Sequence, residues 1–195
     1  MEIKSAKFQT SVADSKNILA DGMPEIAFVG RSNVGKSSLI NMLTKNGKLC
    51  KTSSTPGRTR LINYFLINNE FYFVDLPGYG YAKASKSEVS NWQGMIEPYL
   101  IDNPQLKCVC MLVDSRFEPT EQDKQMMTFL NYYQIPFIII ATKCDKFGKS
   151  QIKPQMLKIA NALGVGKDNV FASSSEKQIG RLEILQKLDQ FLSFE

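Results

Sequence analysis

The chain is predicted to fold as a three-layer α/β domain, with a mostly parallel six-stranded sheet, one antiparallel hairpin strand at its edge, and helices on both faces. Three observations carry that expectation. Short apolar runs alternate with helical patterns after Ile26, the signature of a parallel sheet joined by crossover helices. Two of the runs, Ile62 to Ile67 and Phe71 to Asp75, are separated only by Asn68-Asn69-Glu70. That is too little chain for a crossover, so they form an antiparallel hairpin. Finally, Gly30-Arg31-Ser32-Asn33-Val34-Gly35-Lys36-Ser37 stands between the apolar run Ile26 to Val29 and the helical pattern Ser37 to Thr44.

Taken in order, residues 1–22 are polar and weakly alternating. They read as an N-terminal extension, either an edge strand or a loose segment, and the domain proper spans 23–195. Ile26 to Val29 is apolar throughout, which suits a strand covered on both faces. After the hairpin come a helix from Ser85 to about Ile101, a strand from Lys107 to Asp114, a helix from Thr120 to Tyr133 and a strand from Pro136 to Thr142. A helix over Ser150 to Leu163, a strand over Asn169 to Ala172 and a helix over Gly180 to Leu192 complete the pattern. In the last helix Leu182, Leu185, Leu188 and Leu192 recur at helical spacing and read as a core face.

With 195 residues and 43% hydrophobic content, the chain is one domain long enough to bury a substantial core. Its first residues lack the apolar stretch of a signal peptide, and no run reaches the roughly eighteen apolar residues of a membrane span. A cytoplasmic protein without a membrane span is expected. Four cysteines and no histidine exclude a disulfide framework and the usual Cys/His zinc patterns. Cys108 and Cys110 fall on one face of a strand and read as core. Without histidine the commonest general base is missing, so catalysis must rest on positioning, charge and metal ions.

Charge is uneven. The net value is +5, and from Ile26 through Asn69 there is no acid, while Arg31, Lys36, Lys45, Lys48, Lys51, Arg58 and Arg60 lie inside that stretch. Such a field suits a polyphosphate. Together with Lys143, Lys146, Lys149, Lys153 and Lys158 it also suits RNA, an ordinary lysine-rich surface being the alternative for this second group.

Gly30 to Ser37 is a complete G-x-x-x-x-G-K-S phosphate-binding loop in the required strand-loop-helix context. Its glycines free backbone N–H groups to wrap phosphates at the positive end of a helix. Lys36 reaches the outer phosphates, and the Ser37 hydroxyl ligates Mg²⁺. Asp75-Leu76-Pro77-Gly78 ends a strand on the side of the sheet where ligands bind. There an acid can hold Mg²⁺ through water, and a glycine can offer its N–H to a γ-phosphate. Thr142-Lys143-Cys144-Asp145 ends another. The Asp145 carboxylate can accept from both N1–H and the 2-amino group of guanine, groups that adenine does not present. The Lys143 stem can lie across the purine. Small residues in Phe171-Ala172-Ser173-Ser174-Ser175 let backbone N–H groups approach the base.

These segments, with Thr55-Pro56-Gly57-Arg58-Thr59, resemble the translation-factor-related GTPases, specifically the EngB (YihA/YsxC) branch of the TrmE-Era-EngA-EngB-septin group. The resemblance covers nearly the whole chain from Met23 and implies the Ras-like P-loop GTPase form of the α/β fold. It implies a monomeric switch that hydrolyses GTP to GDP and phosphate. Mg²⁺ would be held by Ser37, by Thr59 in the triphosphate state, and by Asp75 through water. Catalysis would involve Lys36, Thr59, Gly78 and Asn33. The nucleotide would be bound by Gly30, Arg31, Ser32, Asn33, Val34, Gly35, Lys36, Ser37 and Ser38, by Gly57, Arg58, Thr59 and Arg60, by Asp75, Leu76, Pro77 and Gly78, by Thr142, Lys143, Cys144 and Asp145, and by Ser173, Ser174 and Ser175. The implied partner is the large ribosomal subunit, its rRNA and proteins, during assembly, with a further link to cell division and septation.

Two departures from the commonest GTPase pattern matter. Thr142 replaces the usual Asn, which weakens one expected link between base loop and phosphate loop. Tyr79 replaces the glutamine that orients the attacking water, so isolated hydrolysis is expected to be slow. Asn33 matches an asparagine that in related GTPases helps bind K⁺ in place of an arginine finger. Thr52 to Arg60 reads as a switch loop. Tyr79, Tyr81, Lys83 and Lys86 form either an RNA-facing surface or, for the tyrosines, helix packing. Two rivals are a P-loop small-molecule kinase, which has no use for Thr142-Lys143-Cys144-Asp145, and a septation protein that uses GTP for assembly, against which the lack of heptads after Leu192 speaks.

Overall fold

The computed structural model describes residues 1–14, 17–50, 61–79 and 86–193, the side chains of 86–93 excepted. The strands are β1 (Ala6–Val12), β2 (Glu25–Gly30), β3 (Ile62–Ile67), β4 (Phe71–Asp75), β5 (Leu106–Asp114), β6 (Phe137–Thr142) and β7 (Val170–Ala172). The helices are α1 (Lys36–Thr44), α2 (Lys86–Ile101), α3 (Glu121–Tyr132), α4 (Lys149–Leu163) and α5 (Arg181–Ser193). One seven-stranded sheet runs β1-β3-β4-β2-β5-β6-β7. From β4 outward to β7 every neighbouring pair is parallel, while β3 is antiparallel to both β4 and β1.

The α/β class is as expected, but the strand count is corrected from six to seven. Residues 6–12 pair along the whole of β3, with an irregularity between Phe8 and Thr10. The hairpin strand β3 therefore lies one place in from the edge. Asn68 makes this possible: it turns the hairpin at φ 53° with Asn69 at φ 57°, a left-handed pair that Asn tolerates well. Its side chain accepts from the Lys4 and Ser5 N–H groups at 2.8 and 3.1 Å and donates to the Glu2 carbonyl at 2.8 Å.

Strand alternation divides the core in two. Ala27, Val29, Val109, Met111 and Val113 pack with Ile96 and Tyr99 of α2, Met126 and Leu130 of α3, and Ile159 of α4. Ile26, Phe28, Cys108, Cys110 and Leu112 pack with Leu39, Ile40 and Leu43 of α1 and with Ile184, Leu185 and Leu188 of α5. The two strand cysteines are thus core residues. The α5 face differs from the four-leucine reading: Leu182 is 70% exposed and Ile184 is buried. The face that meets the sheet follows 184, 185, 188, 191 and 192, and Leu182 falls off it by helical geometry.

At the edge where the parallel strands begin, Glu25 is fully buried. It accepts from Tyr99 Oη at 2.6 Å, Asn103 Nδ2 at 2.8 Å and Gln105 Nε2 at 3.0 Å. Burial holds its carboxyl above the ordinary value, with those three donors acting in opposition. This polar knot fixes the start of β2 at the far end from the loops described next.

Candidate nucleotide-binding site

Parallel strands deliver their carboxyl ends to one side of the sheet. Gly30, Asp75, Asp114, Thr142 and Ala172 are the last residues of β2, β4, β5, β6 and β7, so five loops converge there, as in other open α/β sheets that bind ligands.

The first loop runs from Gly30 to α1. Its curvature uses left-handed backbone at Asn33, φ 62°, and at Gly35, φ 106°, a conformation a side chain would strain at Gly35. A Cβ at Gly30 would lie 2.9 Å from Val34 Cγ1 and 3.1 Å from Leu112 Cβ, so this position needs glycine for space. Helix α1 opens without a side-chain cap and without an acid in its first turn. Its leading N–H groups and positive dipole end are therefore not answered by a carboxylate of its own.

The second loop begins at Asp75 and lies directly on the first. Tyr79 N–H donates to the Gly30 carbonyl, and Ser32 N–H donates to the Tyr79 carbonyl, both at 3.2 Å. Gly78 sits inside this pairing. A Cβ there would approach Gly30 O at 3.1 Å and Ser32 N at 3.2 Å. Lys36 Nζ donates to Asp75 Oδ1, and both side chains are largely buried. Each is the charge partner the other needs in that setting. Tyr79 points away from the loops: it is buried, and its hydroxyl donates to Asp123 Oδ1 at 2.9 Å. Of the two readings open for Tyr79, helix packing is therefore the one observed.

The loop after β6 is held to the loop after β2 at two points. Thr142 Oγ1 lies 2.7 Å from the Val34 carbonyl and 3.1 Å from the Val113 carbonyl, and its single proton favours the shorter contact. Lys143, in left-handed backbone at φ 61°, donates through Nζ to the Asn33 carbonyl at 3.0 Å and to Asp114 Oδ2 at 2.7 Å. The link expected to be weakened by Thr142 is thus made by the threonine hydroxyl and doubled by the lysine. Cys144 is buried, and burial raises its thiol above the ordinary value, which suits packing over chemistry.

Asp145 follows with its carboxylate oriented from both sides. Ser174 Oγ donates to Oδ1 at 2.5 Å, and Lys146 Nζ lies 3.0 Å from Oδ2. The Ser174 bond is the main reason its carboxyl titrates below the ordinary range. A carboxylate has about four acceptor positions, so two remain for a ligand's donors. Ser173 and Ser174 act differently from expectation. Their N–H groups bond to Ala141 O at 2.8 Å and Ile179 O at 3.2 Å, so they brace the loop. Gly180 closes it at φ 82°, where a Cβ would lie 2.0 Å from the Ala172 carbonyl.

Sequence reading missed Asn41, Asp114 and Arg181. The Asn41 amide clamps the chain after α1, accepting from Cys50 N–H at 2.8 Å and donating to Cys50 O at 3.0 Å and Gly47 O at 3.1 Å. Arg181 of α5 caps the same, C-terminal end of α1, with Nη2 donating to Leu43 O at 2.7 Å. Neither has a local motif; both act across loops or between helices. Gly57, Arg58, Thr59 and Arg60, the whole reading of Thr52 to Arg60 as a switch, and Tyr81 and Lys83 lie outside the described residues, as does the Lys86 side chain.

A family model for 50S ribosome-binding GTPases matches residues 25–143. The probable GTP-binding protein EngB of Clostridium acetobutylicum is 51% identical over 190 residues, covering 96% of this chain and 94% of the relative. The chain belongs to the EngB family of GTP-binding proteins. Its Clostridium kluyveri relative, also a probable GTP-binding protein EngB, is 50% identical over 195 residues, covering 100% of this chain and 99% of that one. A crystal structure of a probable GTP-binding protein EngB superposes with TM-score 0.71 at 25% identity, over 86% of this chain and 98% of that chain. A structure of Era with MgGDPNP and a 16S ribosomal RNA fragment shares the fold, with TM-score 0.69 at 24% identity, over 89% of this chain and 58% of that chain. The EngB assignment accounts for why the converging loops carry nucleotide-binding motifs. No helix among the described residues of this EngB-family chain is long and apolar enough to cross a membrane.

The donor set fits a nucleotide and its Mg²⁺. Arg31 Nε and Ser173 Oγ, one in the phosphate loop and one beside the base loop, are buried without a hydrogen-bond partner among the described residues. Among those residues no cluster of three or more His, Cys, Asp or Glu could hold a metal by itself. Mg²⁺ at phosphates is commonly held by one or two protein oxygens, the phosphates and water, which Ser37 and Asp75 can satisfy.

Proposed function

We propose that this chain is a GTP-hydrolysing conformational switch that acts, as a cytoplasmic monomer, on the large ribosomal subunit during its assembly and so supports normal cell division. The observation that carries the nucleotide reading is the double tether between loops, Thr142 to Val34 and Lys143 to Asn33. It fixes the distance from a phosphate-binding loop to a carboxylate suited to guanine. Asp145 selects guanine because a base without the two donors leaves the two remaining acceptor positions of a shielded carboxylate unmet. Gly30 to Ser38 wrap the phosphates. Lys36, paired with Asp75 in this structure, would turn its ammonium to the outer phosphates, leaving the Asp75 carboxylate to hold Mg²⁺ through water. Ser37, and Thr59 in the triphosphate state, would hold Mg²⁺, which when bound would neutralise phosphate charge. Gly78 N–H meets the γ-phosphate, and Gly57, Arg58, Thr59 and Arg60 belong to the nucleotide-binding set.

Tyr79 supplies no water-orienting amide, so unassisted turnover is slow. The side chain of Asn33, exposed at the rim of the loop, is proposed to help hold K⁺ there. The ribosomal reading is supported by the family description and by the acid-free, cation-rich stretch from Ile26 to Asn69. It is tested by co-sedimentation with ribosomal subunits in GDP, GTP and a non-hydrolysable analogue, with Lys36→Ala as control. Binding that tracks the triphosphate state and weakens with salt is expected; equal binding in all states contradicts a switch.

A further inference from the structure

We infer that Asp114 is a positioning residue for the purine side of the site, acting through Lys143 without touching the nucleotide. The inference rests on the guanine-nucleotide reading above. Asp114 ends β5 directly opposite Thr142 of β6. Its carboxylate receives four donors: Arg116 N–H at 3.1 Å and Arg116 Nε at 2.9 Å on Oδ1, then Arg116 Nη2 at 2.8 Å and Lys143 Nζ at 2.7 Å on Oδ2. The guanidinium fork holds the carboxylate in one orientation, and Phe117 lies beneath that guanidinium with its ring centroid 5.1 Å from Cζ.

The consequence falls on Lys143. Its Cα is fixed in left-handed backbone in the base loop, and its ammonium is fixed at the far end between Asp114 and the Asn33 carbonyl. A lysine stem is ordinarily among the most mobile side chains. Anchored at both ends, its methylenes become a rigid span from base loop to phosphate loop, the span along which a purine must lie. The Asn33 carbonyl alone is one neutral acceptor; Asp114 adds the charge that retains the ammonium. Burial raises the Asp114 carboxyl, and the Arg116 and Lys143 hydrogen bonds more than offset this and bring it to about 2. It is therefore charged at any physiological pH.

The test is a double-mutant cycle on GDP affinity using the full chain: wild type, Asp114→Ala, Lys143→Ala and the double variant. Asp114→Ala is expected to weaken GDP about five-fold, and the double variant to bind no more weakly than Lys143→Ala alone, since residues acting through one another are not additive. GDP affinity unchanged in Asp114→Ala, or losses that multiply in the double variant, overturns the inference. If Asp114→Ala does not fold, Asp114→Asn keeps the shape and removes the charge. A loss of affinity in that variant supports the inference, and wild-type affinity overturns it. Wild-type protein that binds no GDP would instead refute the nucleotide reading.

Discussion

The Tyr79 hydroxyl donates to Asp123 Oδ1 at 2.9 Å, tying the residue after Asp75-Leu76-Pro77-Gly78 to the first turn of α3. The other Asp123 oxygen accepts from Thr120 N–H at 2.8 Å and from Thr120 Oγ1 at 2.7 Å. The Asp123 N–H donates back to Thr120 Oγ1 at 3.4 Å, which closes the capping box of the helix. One buried carboxylate therefore serves a helix start and a nucleotide loop together. Burial, and then the Asp123 charge, push the tyrosine hydroxyl well above its ordinary value, so it remains a donor and cannot serve as a base.

Removing that hydroxyl with Tyr79→Phe is expected to cost roughly 1.5–3 kcal/mol of stability, the range for a hydrogen bond to a charged group. GTP turnover is expected to stay within about two-fold of wild type, because the hydroxyl faces α3. Chemical denaturation and single-turnover hydrolysis check the two halves. A large fall in turnover without loss of stability would place Tyr79 in the chemistry.

Gly78 is confined by backbone atoms of the phosphate loop, with Gly30 O 3.1 Å from where a Cβ would sit. Backbone cannot swing aside as a side-chain tip can, so Gly78→Ala has to shift the Tyr79–Gly30 pairing by a few tenths of an ångström. GTP affinity is expected to fall about ten-fold and GDP affinity to fall less, since both nucleotides use the shifted phosphate loop but only the triphosphate uses this N–H. Parallel titrations with GDP and a non-hydrolysable GTP analogue decide it.

Thr142→Val deletes the hydroxyl bond to the Val34 carbonyl at nearly constant volume. A loss of about 1–2 kcal/mol is expected from the carbonyl left without its partner. GDP release should quicken several-fold as the loops separate, which stopped-flow displacement of a fluorescent GDP would register.

Glu25 makes stability pH-dependent away from the site. Its folded carboxyl is raised by burial above the ordinary 4.5, so the fold favours the protonated form. That contribution is present below the unfolded value and is lost as pH rises through the folded one. Glu25→Gln removes the titration. The stability of wild type relative to Glu25→Gln should therefore be higher at about pH 5 than at about pH 8, measured by thermal unfolding of both proteins.

Local chemistry was legible in the sequence, and long-range direction was not. The loops at 30–38, 75–78 and 142–145 could be placed because each motif is contiguous and lies at a strand end. β1 was half legible: the polar, partly exposed residues allowed an edge strand or a loose segment, and what makes 6–12 a strand is the free edge of β3. Tyr79 has the same composition whether it faces RNA or α3; only Asp123, 44 positions away, decides. Asp114 looked like any acid at a strand end until β6 brought Lys143 beside it. Thr142 was judged against the commoner asparagine, although a hydroxyl at that place reaches the same loop. Glu25 carried no signal at all, since a buried carboxylate is recognisable only by the three donors that the chain brings to it from residues 99–105.

The central claim is that Asp145, held by Ser174 and Lys146, reads a guanine whose phosphates lie on Gly30 to Ser37. Equilibrium titration of wild type and Asp145→Asn with GDP, XDP and ADP tests it most directly. Wild type is expected to prefer GDP to ADP and XDP by at least about a hundred-fold. Asp145→Asn should exchange that preference for XDP, because its amide can donate to the 2-oxo group of xanthine where the carboxylate accepted from guanine. Comparable ADP and GDP affinity in wild type, or an Asp145→Asn variant that still prefers GDP, would contradict the account.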